Sequence, residues 1–351
     1  MTAELLDKQV FGRLPTGEEI HTYTLQSAGG LRARVITLGG IITHLFVPNR
    51  HGQLDDVVLG FDQLASYLVP HPFFGAIAGR VAGRISGGRF AIDGSTYKLE
   101  CNDPPNHLHG GSNGFDKRVW DAAPVQREDG VASLRLSRVS PDREAGYPGK
   151  VSVSVTYTVT ADNRLVVDVE ATADRATPLS LTQHSYFNLA GEGSGTVGEH
   201  ELQIFSSHVA GIDPAFTLVG RKQPVAGQPA DLREPQRLGD VIPNLFDQHG
   251  DLYFIEPIQA SKLRSAARLT EPVSGRMLTV NTTEDCLQFY TGVRLDGTLI
   301  GKSGRPYRQF GGLCLECEGY PDGANVPELG DIVLRPGQSR RQTTEYAFAT
   351  F

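Results

Sequence analysis

Residues 151–171 constrain this chain more than any other stretch. Val151, Val153, Val155, Tyr157 and Val159 alternate with Ser152, Ser154, Thr156, Thr158 and Thr160. After the polar turn Ala161-Asp162-Asn163-Arg164 the pattern resumes with Leu165, Val167, Val169 and Ala171. A period of two sends every apolar residue to one face of an extended chain, so the stretch predicts an antiparallel hairpin with one buried face. A slip of one residue in its register would turn that whole face to water. A shorter hairpin is expected around Asp93-Gly94, a pair suited to a two-residue turn, with Phe90 and Ile92 before it and Tyr97 and Leu99 after it.

Further strands are expected at 31–36, 41–47, 57–59, 131–136, 202–205, 276–280 and 287–292. Helical signals are confined to short turns at 62–67 and 234–238. Forty glycines and 21 prolines interrupt the chain often, as turns between many strands require. A doubly wound α/β fold needs long amphipathic helices between its strands, and the sequence has none. The expected fold class is therefore all-β, a large antiparallel β-sandwich or barrel. With 351 residues the chain can bury a large core. No linker divides it: the glycine-rich run 191–198 is short, so residues 1–351 are read as one domain. The stretch 221–250 has little periodicity, and a long structured excursion of this kind is often functional.

A net charge of −7 argues against nucleic acid or an anionic membrane as the main partner. The N-terminus lacks a basic region followed by an apolar core, and no apolar run reaches membrane-spanning length. A reducing cytoplasm is the expected compartment. The four cysteines, Cys101, Cys286, Cys314 and Cys317, are too few and too irregular for a disulfide framework. Cys314 and Cys317 form a CxxC without a second pair or a histidine ligand set, so they are read as ordinary buried thiols.

Three runs carry chemistry. Residues 181–191, Leu-Thr-Gln-His-Ser-Tyr-Phe-Asn-Leu-Ala-Gly, set His184 among amides, hydroxyls and aromatic rings. That mixture suits a polyhydroxylated ring, with apolar faces, many directional hydrogen bonds and one group titrating near neutrality. Asn106-His107-Leu108-His109-Gly110-Gly111 places two imidazoles on a glycine-rich loop. On an extended chain residues two apart point the same way, which would make His107 and His109 a metal pair, but no further ligand stands nearby in sequence. The third run, 313–322, ends an apolar segment with Glu316, Glu318 and Asp322. Glu316 at a pocket edge would serve as a general base with a histidine as partner acid; the alternative is a strand-edge carboxylate in a structural ion pair. His184 alone is equally open to a structural role. In Gly79-Arg80-Val81-Ala82-Gly83-Arg84-Ile85, Arg84 would fork hydrogen bonds to hydroxyls, whereas Arg80 is expected to be solvated. A phosphate loop is excluded by the missing Lys-Ser/Thr ending, and a serine nucleophile by the missing GxSxG. No second carboxylate pairs with Glu316 by motif in the manner of a glycosidase.

In order along the chain, Phe11-Gly12, Val57-Val58-Leu59-Gly60-Phe61, Pro72-Phe73-Phe74-Gly75, residues 79–85, Leu108-His109-Gly110-Gly111, Gly146-Tyr147-Pro148-Gly149, the His184 run, Gln288-Phe289-Tyr290-Thr291-Gly292, the Glu316 run and Leu334-Arg335-Pro336-Gly337 together resemble the aldose 1-epimerase family, the galactose mutarotases. The resemblance implies an antiparallel supersandwich and interconversion of the α and β anomers of a free aldose. It implies that Glu316 removes the anomeric hydroxyl proton, that His184 protonates the ring oxygen, and that His109 polarises the same region. Arg84, Gln288 and an aspartate would hold hydroxyls. The aspartate is taken as Asp251, in Asp251-Leu252-Tyr253-Phe254, ahead of Asp247. No metal and no organic cofactor is expected, because proton transfer alone opens a hemiacetal. The expected partner is a small sugar, and the chain is expected to act as a monomer or homodimer. A mutarotase-like isomerase of a modified sugar or another cyclic hemiacetal, and a carbohydrate-binding protein without turnover, are the alternatives. Three departures from the family pattern stand out: Gly83 and Gln183 where it carries asparagine, and Cys317-Glu318-Gly319 where it carries Thr-Gln and a bulkier residue. Gly83 lacks an amide that would touch substrate, so a different or bulkier sugar than galactose is expected.

Overall fold

The computed structural model describes residues 6–125, 131–256 and 262–351. The 151–171 alternation folds as read: Val151–Val159 pairs antiparallel with Arg164–Ala173, and Asn163 supplies the left-handed turn residue at φ 60°. This hairpin lies inside a nine-stranded sheet ordered Asp121–Val125, Ala132–Ser140, Val151–Val159, Arg164–Ala173, Arg340–Thr350, Arg276–Thr282, Arg264–Glu271, Glu201–Ile204 and Gln236–Arg237. Val151, Val153, Val155, Tyr157 and Val159 are buried in the main core. Each such side chain contributes roughly 1.5–3 kcal/mol on burial, which fixes the register.

A six-stranded sheet contributes the other wall of that core: Tyr186–Phe187, Leu313–Glu318, Cys286–Tyr290, Leu252–Phe254, His208–Ile212 and Leu218–Pro224. Leu287, Phe289, Leu313, Leu315 and Cys317 join the same apolar cluster as the valines. By alternation, Cys314, Glu316, Glu318, Gln288 and Tyr290 face the opposite side of this sheet. A five-stranded sheet runs from Leu6–Arg13 to Leu54–Asp56. The architecture is an all-β sandwich, and no helix among the described residues is long and apolar enough to cross a membrane.

The Asp93-Gly94 hairpin forms, with both turn residues at positive φ (50° and 78°). Residues 57–59 differ from expectation. They make a single bridge, Val58 to Phe187, because the chain here laces two sheets together: Val57 N–H donates to Leu45 O, and Leu59 N–H to Tyr186 O. The helical turn expected at 234–238 sits later, at Leu238–Val241. Glu234 precedes a proline, which disfavours helix, and Gln236–Arg237 is taken up as an edge strand against Glu201–Leu202. Arg80 is the sharpest correction. It is 2% exposed, with Nε donating to Ser140 Oγ (2.9 Å), Nη1 to Pro148 O (2.9 Å) and Nη2 to Pro141 O (2.8 Å). These carbonyls satisfy the buried guanidinium, although burial still lowers its pKa to about 10.

Candidate active site

On the outer face of the six-stranded sheet lies a cavity of about 170 Å³. Its floor follows from the pairing register. Gln288 lies opposite Glu316, and Tyr290 opposite Cys314, so the side chains of two neighbouring strands converge on one face. Thr182–His184 is a short strand paired with Ala76–Ala78, and it brings His184 to the cavity from the side. His184 and Glu316 line the same cavity, with Nε2 of the imidazole 3.4 Å from Oε2 of the carboxylate. The two stand side by side. The other imidazole nitrogen of His184, Nδ1, is 3.6 Å from Cys314 Sγ.

His109 reaches the same place by a backbone device. Its φ is 51°, followed by Gly110 and Gly111 at 87° and 85°. Gly110 is obligatory, since a Cβ there would lie 1.9 Å from Gly79 O. The left-handed residue breaks the pleat, so His107 and His109 part company instead of forming a pair. His107 turns inward, with Nδ1 2.7 Å from Glu100 O and Nε2 2.8 Å from Tyr147 Oη. His109 turns to the cavity and meets the His184 ring edge-on, with centroids 5.1 Å apart. Gly83 N–H donates to His109 Nδ1 at 3.2 Å. An acceptor at Nδ1 fixes the neutral tautomer, so Nε2 carries the proton and is a donor. Single ligand atoms of His109, His184 and Glu316 lie within 4.8 Å of one another. A metal at that point would have to displace the His109 Nε2 proton, whereas a substrate oxygen would accept it.

Burial sets the electrostatics. It raises the Glu316 carboxyl to about 8, against a smaller opposing effect of Arg84, and lowers His184 to about 4. Near neutrality the pair therefore holds one proton between them in place of two fixed charges. Phe73, itself at φ 58°, covers both imidazoles, 4.7 Å from the His109 ring and stacked 5.8 Å from that of His184. Tyr186 stacks on the far side of His184 at 5.2 Å.

Arg84 and Gln288 line the cavity. Arg84 Nε donates to Asp103 Oδ2 at 2.7 Å, which aims the guanidinium and leaves its remaining N–H groups for ligand. Asp251 lines a smaller adjoining lobe together with Gln288 and His249, and burial raises its pKa to about 6. Asp247 points away and sits 3.4 Å from Arg294 in an exposed ion pair. Gly83 lines both lobes, and the room beside it is already occupied by its neighbours. A Cβ on it would lie 2.4 Å from Pro321 Cγ and 2.9 Å from Glu318 Oε1. The missing side chain has been replaced by packing and by a carboxyl group.

Several lining residues escaped the sequence reading, His249 and Glu318 among them. His249 faces both lobes and comes from the 221–250 excursion, where no local signal marked it. Glu318 was named only as a neighbour of Glu316. The two-residue spacing on a strand was the signal that it shares the Glu316 face.

Fold and site together define a class of β-sandwich proteins in which a buried imidazole and carboxyl meet in a pocket of small-ligand size. Comparisons with known proteins agree. The model of the aldose 1-epimerase family matches residues 21–347. Galactose mutarotase of Rattus norvegicus is 43% identical over 343 residues, covering 97% of this chain and 98% of that protein. Aldose 1-epimerase of Escherichia coli is 33% identical over 340 residues, covering 95% and 96%. Among solved structures, a GalM/aldose epimerase homologue from C. elegans superposes with a TM-score of 0.85 at 28% identity, over 93% of this chain and 98% of that one. The chain belongs to the aldose 1-epimerase family, whose members are isomerases.

Proposed function

We propose that this protein is a mutarotase acting on a free aldose by acid–base ring opening. The observation that carries this reading is the 3.4 Å approach of His184 to Glu316 within one pocket. The two oxygens of a hemiacetal share one carbon, so the groups that serve them must stand side by side, as these do. At rest burial keeps the shared proton on Glu316, and the reactive form is the minor one in which it has passed to His184. Glu316 then takes the proton of the anomeric hydroxyl, and its oxygen becomes the carbonyl oxygen of C1. The C1–O5 bond breaks, its electron pair goes to O5, and His184 protonates O5. Rotation about C1–C2 presents the other carbonyl face, and closure returns both protons. His109 Nε2–H donates to the developing charge on O5, and Arg84, Gln288 and Asp251 hold hydroxyls. Stabilising charge that develops only in the transition state raises turnover rather than binding.

The relatives named as galactose mutarotases support an aldohexose substrate. Three buried free cysteines, Cys286, Cys314 and Cys317, fit a reducing compartment such as the cytoplasm. The test is anomer exchange on freshly dissolved α-glucose and α-galactose, followed by polarimetry. Accelerated approach to equilibrium is expected. Binding of either sugar without acceleration would overturn the reading in favour of a binding protein.

A further inference from the structure

We propose that the corner formed by Gly83, Glu318 and Pro321 is a subsite for the ammonium group of an amino-substituted aldose. This rests on the mutarotase reading of the pocket and names the substrate class within it.

Glu318 is two residues beyond Glu316 on the strand Leu313–Glu318, and both carboxyl groups line the cavity. Two residues advance an extended chain by ~6.6 Å, so a ring with its anomeric end at Glu316 presents a substituent away from C1 to Glu318. Glu318 is 1% exposed, and its Oε2 has no hydrogen-bond partner among the described residues. A buried carboxyl group without a partner is destabilising, and its retention calls for an explanation such as a ligand. The nearby charges offer no other. Among the described residues Glu316 and Glu284 are both acidic, and Arg84, whose attraction Glu318 feels, makes its hydrogen bond to Asp103 and none to Glu318 Oε2. The adjoining lobe adds a further acid, Asp251.

Gly83 completes the corner. Any side chain there would strike Pro321 and Glu318, so no amide can stand between Glu318 and the ligand. A neutral hydroxyl is read equally well by an amide or a carboxyl group. A carboxyl group gains over an amide when the partner is a cation, and it disfavours an anionic sugar. Burial and Glu316 hold Glu318 well above the usual carboxylate range, so an arriving ammonium releases a proton from it.

The experiment uses the full chain at a pH where the amines are charged. Glucose, galactose, their 2-, 3- and 4-amino-deoxy derivatives and glucuronate are each titrated by calorimetry in two buffers of different ionisation heat. Anomer exchange of the same sugars is followed by NMR. At least one amino-aldose is expected to bind tenfold or more tightly than its parent sugar, with release of about one proton, and glucuronate is expected to be the weakest ligand. Glu318→Gln should lower the amino-to-neutral affinity ratio at least tenfold, while Glu318→Asp, which keeps the charge, should retain a preference. The proposal is overturned if no amino-aldose binds better than its parent, or if the preference survives in Glu318→Gln. Preferential binding without accelerated exchange would sink the mutarotase reading and leave the subsite standing. Accelerated exchange without preference would do the reverse.

Discussion

Replacing Glu316 by glutamine should impair catalysis and at the same time stabilise the fold at alkaline pH. The carboxyl moves from an ordinary 4.5 to about 8 on folding because burial disfavours its charge. A folded pKa above the unfolded one means that this group's contribution to stability is full below 4.5 and is lost as pH rises towards 8. His184 shifts the other way, from 6.5 to about 4, so its contribution is full above 6.5 and does not change across the alkaline window. Between about pH 6.5 and about pH 8.5 the unfolded carboxyl is already ionised while the folded one gives up its proton, at ~1.4 kcal/mol per pH unit. Glu316→Gln should therefore gain ~2 kcal/mol relative to the parent chain across that window. In thermal melts at the two pH values this is a difference of several degrees between the paired shifts in Tm. Glutamine keeps the shape and can still donate a hydrogen bond, but it cannot accept the anomeric proton, so kcat should fall ~10²–10⁴-fold with a smaller change in binding. Turnover within tenfold of the parent, or a stability difference independent of pH, would show that Glu316 is neither the base nor the proton-bearing group.

Three further outcomes follow from the same geometry. The profile of kcat/KM against pH should be bell-shaped, because the His184–Glu316 pair works with one proton. It gains a second below about 4, where His184 titrates, and loses its last above about 8, where Glu316 does; a flat profile across neutrality into the alkaline range would contradict this. Asp251→Asn should raise KM about tenfold or more, as expected for a lost charge-assisted hydrogen bond of ~1.5–3 kcal/mol, whereas Asp247→Asn should change KM less than twofold; steady-state kinetics on one aldose with both variants decides between them. Gly83→Asn should lower Tm, since its Cβ meets Pro321 and Glu318 at a φ of 71°, and should shift the relative kcat/KM for galactose, glucose and pentoses. Unchanged ratios would remove this corner from the substrate-reading surface.

The strands were legible because burial on one face leaves a period of two, and Val151–Val159 and Arg164–Ala173 carry it without interruption. Glu316 and Gln288 were legible through the family motifs, and the register then placed them opposite each other. What local pattern missed has a common physical cause: it depends on partners distant in sequence or on a single backbone angle. Arg80 reads as a surface cation, yet carbonyls 60 or more residues away satisfy it in the interior. His107 and His109 read as neighbours on one face until the φ of His109 sends them apart. His249 lies in a stretch without periodicity, and only the fold brings its ring 4.8 Å from Tyr290. The shift of the helical turn to Leu238–Val241 reflects edge pairing that propensity cannot register.

The strand Leu313–Glu318 is buried on both of its faces. Half of its side chains hold the two sheets together and the other half confront the ligand, so mutation finds no neutral position along it. Adaptation to a new sugar is thereby limited on this strand to exchanges that keep its packing, as at Glu318, and otherwise falls to the rim, where Phe73, Phe216, His249 and Arg294 hang from connecting segments. A lineage built on such a strand would conserve its reaction while its menu of substrates drifts.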